Sequence, residues 1–165
     1  MPAALLLLLA GCSTLKGHHK DLSGLRIHGE SESAATGGNE SITVIRSHPV
    51  VLNIVREPLL SESDVTAARL LDVPGGFAVQ VQFEETSAWA LEQWTATNPG
   101  KHLAIFGQWG KKPVVGRWLA APLITRRLAG GSLVFTPDAS REEMEALVKG
   151  LNNVAKENAG IRSKD

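Results

Sequence analysis

The sequence predicts an α+β domain: a largely antiparallel sheet with two amphipathic helices packed on one face. Three observations predict it. Residues 77–83 alternate apolar and polar side chains, the period of a half-buried strand. Residues 102–109, 113–124 and 132–135 form apolar runs, split by Gly110-Lys111-Lys112-Pro113 and by Gly130-Gly131, and read as strands between turns. Before and after them lie stretches with apolar residues at helical spacing.

Length and composition bound the rest. A chain of 165 residues holds one domain with appendages, and 43% hydrophobic residues are ample for one core. The 17 basic and 17 acidic residues cancel, so no global field recruits nucleic acid or an acidic membrane. Cys12 is the single cysteine, so no internal disulfide forms. Tyr is absent and Trp occurs four times, which makes the tryptophans the aromatic residues to follow.

At the N-terminus, residues 3–10 are apolar and include five consecutive leucines. A bilayer span needs about 20 apolar residues, so this run is too short to cross. It has the length of a signal-peptide core. Leu9-Ala10-Gly11-Cys12-Ser13-Thr14 follows and resembles the lipobox of bacterial lipoproteins. The resemblance implies cleavage after Gly11 and a diacylglycerol thioether on Cys12, whose thiol is the nucleophile that can carry the lipid. Each buried lipid methylene contributes about 0.8 kcal/mol, so two or more chains attach the protein stably. Ser13 after the cysteine, by the habit of that family, favours the outer membrane.

Residues 1–11 are thus expected to be a signal peptide and residues 12–41 a flexible tether. The tether reading rests on Gly17, Gly24, Gly29, Gly37 and Gly38 with Ser, Glu and His between them, a composition too poor in apolar surface to offset ordering entropy. His18, His19 and His28 fall in it, and a mobile tail lacks the fixed geometry that a metal site requires.

The folded domain is expected over residues 42–157. Residues 42–45 and 50–55 are β-branched and apolar, and Pro49 makes the first a weaker edge piece. Ser61-Glu62-Ser63-Asp64 is a polar turn. For residues 65–71, propensity favours helix. Pro74-Gly75-Gly76 turns into the alternating strand, where Phe77, Val79, Val81 and Phe83 share one face. Thr86 or Ser87 is expected to cap the next helix, with Ala88, Leu91, Trp94 and Thr95 on its inner side and Asn98-Pro99-Gly100 as its stop. Ser140-Arg141-Glu142-Glu143 has capping-box spacing. Met144, Leu147, Val148, Leu151 and Val154 form the stripe of the last helix, which Gly150 weakens. Residues 158–165 read as a frayed tail.

From about residue 58 to residue 152 the chain resembles the head subdomain of the first periplasmic domain of SecD-type protein-export membrane proteins. The matching residues are Asp64-Val65-Thr66-Ala67-Ala68-Arg69, Val79-Gln80-Val81-Gln82-Phe83, Thr95, Asn98, and Gly100-Lys101-His102-Leu103-Ala104-Ile105. Ala121-Pro122-Leu123-Ile124, Gly130-Gly131-Ser132 and Glu142-Glu143-Met144-Glu145-Ala146-Leu147 complete the series. The resemblance implies that residues 65–71 form a strand, against their propensity. It also implies a movable module that contacts polypeptide. Two departures stand out: Phe106-Gly107-Gln108-Trp109 replaces the family's Leu-Asp-Gly hairpin tip, and the strand after Gly-Gly-Ser shortens to Leu133-Val134-Phe135. The proton-coupled membrane helices of those proteins have no counterpart in this sequence.

Enzymatic motifs are lacking. There is no Gly-x-Ser-x-Gly elbow, no phosphate loop and no zinc-binding His-Glu-x-x-His. Glu84-Glu85 and Glu142-Glu143 sit at helix starts, where the dipole favours anions. Arg117, Arg126-Arg127 and Lys111-Lys112 near tryptophans have the make-up of a nucleic-acid patch, which zero net charge and an extracytoplasmic address oppose. Trp is enriched at binding hot spots, so Trp89, Trp109 and Trp118, with Arg117, are the candidate partner surface, and core packing is the competing role. The expected function is a non-enzymatic, lipid-anchored periplasmic module that contacts polypeptide in export or envelope assembly, without cofactor, metal, nucleic acid or small-molecule substrate. The alternatives are a structural envelope lipoprotein acting through fixed packing, marked by a large obligate interface, and a small hydrolase, marked by a deep pocket with convergent titratable groups.

Overall fold

The computed structural model describes residues 21–33, 37–44, 48–111 and 114–162. Cys12, the leader and residues 13–20, with His18 and His19, lie outside them. The strands are β1 (Gly24–Gly29), β2 (Asn39–Val44), β3 (Val50–Val55), β4 (Leu60–Ser61), β5 (Val65–Val73), β6 (Gly76–Phe83), β7 (Leu103–Trp109), β8 (Val115–Ala120) and β9 (Ser132–Phe135). The helices are α1 (Glu85–Thr97) and α2 (Arg141–Arg162), with a 3-10 turn at Glu62–Asp64. The α+β class and the antiparallel pairing are as expected.

The strands divide among three ladders: a central sheet in the order β4-β1-β7-β8, a hairpin β2-β3, and a sheet β5-β6-β9. The apolar runs at residues 102–109 and 113–124 pair as β7 and β8, but β9 leaves them and joins β6. The main core lies between the central sheet and β5-β6-β9. It takes Leu25, Ile27, Leu103 and Ile105 from the first, Val79, Val81, Phe83 and Phe135 from the second, Leu91 from α1, and Met144, Leu147 and Leu151 from α2. A second, smaller core joins Ile42, Val44, Leu52 and Ile54 of the hairpin to Ala104 on the opposite face of the central sheet.

Residues 12–41 are not a tether throughout. β1 runs down the middle of the central sheet between β4 and β7, with Leu25 and Ile27 fully buried. His28, expected in a solvated tail, is 7% exposed. It donates from Nδ1 to the Val55 carbonyl at 2.9 Å and meets the Trp118 ring edge-on at 5.4 Å. β1 carries only two inward apolar residues, and its stability comes from a partner strand some eighty residues away, which local composition does not register.

The remaining elements follow their local chemistry, with two corrections. Residues 65–71 are strand, as the resemblance implies: they pair with β6 along the whole of β5, and that edge is closed by Asn152 of α2. Its Oδ1 accepts the Ala68 N–H at 2.9 Å and its Nδ2 donates to the Ala68 carbonyl at 2.9 Å, completing the edge of β5. α1 starts at Glu85, so neither Thr86 nor Ser87 caps it; Ser87 instead donates to Asp64 Oδ1 at 2.8 Å. The expected frayed tail is helix as far as Arg162. The capping box of α2 is present: Glu143 N–H donates to Ser140 Oγ at 3.2 Å, and Ser140 N–H to Glu143 Oε2 at 2.8 Å.

Candidate functional site

α1 has Leu91 and Thr95 one turn apart on its inner face, both essentially inaccessible. That phase turns Trp89 outward, 66% exposed. Ala88 packs against Gly131, where a Cβ would lie 2.5 Å from the Ala88 Cβ. Gly130 and Gly131 also hold φ of 85° and 65°, which glycine adopts without strain. The approach of helix to turn is therefore written in Gly-Gly itself. Gln82 Nε2 donates to the Gly130 carbonyl at 3.1 Å and fixes the turn. Thr95 Oγ1 accepts the Leu128 N–H at 3.0 Å and donates to the Leu91 carbonyl at 2.8 Å, holding the following segment on α1.

These contacts leave an open groove of about 960 Å³ lined by Phe83, Thr86, Ala88, Trp89, Gly130 and Gly131 among others. Gln82, Glu85 and Glu92 add polar groups to the lining, and Glu92 pairs with Arg127 at 3.3 Å. The rest of the lining is mainly apolar surface with one indole. Such a wall suits the capture of an apolar side chain.

The other candidates go elsewhere, so the expected surface of three tryptophans and Arg117 does not assemble. Trp109 is 4% exposed and belongs to the main core. The Arg117 guanidinium lies over its ring, 5.2 Å from the centroid, and binds Glu143 Oε2 at 2.7 Å, so Arg117 ties β8 to the start of α2. The Ser140 N–H, ahead of the Arg117 contact, holds the Glu143 carboxyl below the usual range, with burial opposing. Trp118 is half-buried, edge-on to His28 and to Phe106 at 5.3 Å, and packs against the second core. Of the expected basic patch, Arg117, Arg127 and Lys111 are each paired with a carboxylate. His102 stands just ahead of β7 and donates from Nδ1 to Glu30 Oε2 at 2.7 Å. No group of three His, Cys, Asp or Glu among the described residues is placed to hold a metal.

Among solved structures, the chain is similar to SecDF in a super-membrane-facing form, with a TM-score of 0.55 and 21% identity over 81% of this chain and 19% of that one. The fold is SecD-like. A second SecDF structure, of a membrane component that enhances protein export, matches with a TM-score of 0.52 and 22% identity over 80% of this chain and 64% of that one. At these identities the likeness is one of fold. The SecD-like chain spans less than two thirds of the length of either protein. No protein-family model and no curated protein matches it. None of its helices among the described residues is long and apolar enough to cross a membrane.

Proposed function

We propose that this protein is a non-enzymatic, lipid-anchored module outside the cytoplasm that contacts polypeptide during protein export or envelope assembly. The lipid on Cys12 holds it at the membrane, with the outer membrane favoured. The observation that carries the contact is Trp89, exposed over an apolar groove on a SecD-like fold. A large exposed indole in a concave apolar setting is the kind of residue on which binding energy concentrates.

The test uses the exposure of Trp89 against the cover on Trp109 and Trp118. Adding reduced, carboxymethylated ribonuclease A, which cannot fold and carries no tryptophan, should shift the tryptophan emission to the blue. Trp89→Ala should abolish the shift. No shift at saturating unfolded chain would refute the reading. Photo-crosslinking in cells from position 89 then identifies the partners. Exported chains in the adducts support export, whereas a single stoichiometric envelope protein would turn the assignment to a structural lipoprotein.

A further inference from the structure

The two edges of the sheet β5-β6-β9 are treated differently by the fold. At β5, α2 lies along the strand, and the Asn152 amide satisfies both backbone groups of Ala68. At the opposite edge, β9 pairs with β6 and with no other strand among the described residues.

The register shows which groups β9 leaves open. Phe83 N–H donates to the Gly131 carbonyl at 2.9 Å, and Val81 and Val79 stand opposite Leu133 and Phe135. In an antiparallel ladder the hydrogen-bonded positions alternate. Gly131, Leu133 and Phe135 therefore turn their N–H and C=O towards β6, and Ser132 and Val134 turn theirs outward. The Ser132 side chain is already held, accepting Gln80 Nε2 at 2.8 Å, so what remains open is backbone.

Exposed edges are usually blunted by charge, proline or a bulge. The residues Ser132-Leu133-Val134-Phe135 carry no charge and no proline, pair without a bulge, and leave Val134 47% exposed. Hollows flank the edge at both ends. The Trp89 groove adjoins Gly130 and Gly131 at its start. A second hollow of about 410 Å³, lined by Ala120, Ala121, Pro122, Val134, Phe135 and Thr136, adjoins its end. At about 3.3 Å per residue, the five steps from Gly131 to Thr136 span roughly 17 Å.

Outward N–H and C=O groups at every second residue are matched by another extended backbone. A helix satisfies its own backbone groups, and neither sugars nor nucleic acids present that alternation. We propose that β9 is a docking edge for an extended, unfolded polypeptide segment, which adds as a fourth strand and lodges an apolar side chain in the hollow at each end. The inference rests on the polypeptide-contacting reading above and specifies how contact is made: main-chain bonds at Ser132 and Val134, side-chain selection at the hollows.

Amide hydrogen exchange by NMR on the full labelled chain tests it, with and without the same carboxymethylated ribonuclease A. Protection at Ser132 and Val134 should rise by roughly tenfold or more on binding, while Leu133 and Phe135 are protected throughout. Val134→Pro deletes an outward donor and none that β6 uses, and should weaken binding by about tenfold. Unchanged exchange at Ser132 and Val134, with the Trp89 emission shift still present, overturns the docking edge and leaves the polypeptide reading standing. Absence of both responses overturns both. Protection that rises with protein concentration alone assigns the edge to a second copy of this chain and overturns the inference.

Discussion

Asn152→Ala should unfasten α2 from β5. The wild-type amide makes two hydrogen bonds of 2.9 Å to the backbone of Ala68, which is 7% exposed. Each such bond is worth about 1 kcal/mol net, and a buried backbone group left without a partner costs about 1–3 kcal/mol. Water reaches part of the vacated site, because Asn152 itself is only half-buried. The expected loss is therefore roughly 2–4 kcal/mol, a fall in melting temperature of about 6–12 °C for a domain of this size. Urea unfolding followed by circular dichroism measures it, with an unchanged m-value showing that the native fold is retained. Asn152→Asp separates the two bonds. A carboxylate still accepts from the Ala68 N–H but repels the Ala68 carbonyl, so this variant should be at least as unstable as Ala at neutral pH. It should recover part of the difference from Asn152→Ala below about pH 4, where the protonated carboxyl donates again. A loss under about 0.5 kcal/mol for Asn152→Ala would refute the claim that this side chain completes the β5 edge.

Three further outcomes follow from the packing. Gly150→Ala should destabilise by about 1–3 kcal/mol in thermal melts, although Ala is the better helix former, because the new Cβ would lie 2.0 Å from Ser23 Oγ and 2.7 Å from the Ser23 backbone nitrogen. Burial, opposed by the hydrogen bond to the Val55 carbonyl, holds the His28 imidazole below its ordinary value of 6.5, so the unfolded chain binds more protons just below that pH. The stability His28 protects is thus complete above about pH 6.5 and declines as pH falls towards the folded-state value; His28→Gln should flatten that slope in urea titrations. Trp89→Ala should leave urea stability within about 0.5 kcal/mol of wild type, since its ring is largely in solvent, while the emission response to unfolded polypeptide disappears.

The candidate site was partly legible. The sequence offers Trp89 as a candidate for a partner surface, with core packing as the competing role, and the helical phase of Leu91 and Thr95 is what turns it outward. Trp109 and Trp118 carried the same residue-type signal and are packed away, because burial depends on what lies across the sheet. Arg117 stands beside the tryptophans in sequence as a candidate for the same surface, yet its carboxylate partner Glu143 sits in another element. The open edge of β9 had one sequence cue, a short uncharged strand after Gly-Gly. Only the pairing of β9 with β6 shows that its other side is unpaired.

By itself the sequence determined the local structure: the alternation of β6, the apolar phase of both helices, the capping box at Ser140, and the turns at Gly75-Gly76 and Gly130-Gly131. These depend on interactions within a few residues, which periodicity and backbone preference report directly. Tertiary structure decided the rest. It drew β1 from an apparent tether into the centre of a sheet, held residues 65–73 as strand against β6 with an amide from α2 on the outer edge, separated β9 from β7 and β8, and left one edge closed and the other open. Each of those outcomes turns on which backbone groups find a partner far along the chain. A strand's hydrogen bonds are completed by its neighbour, so its place in the fold, and its exposed edge, belong to the pair rather than to either sequence alone.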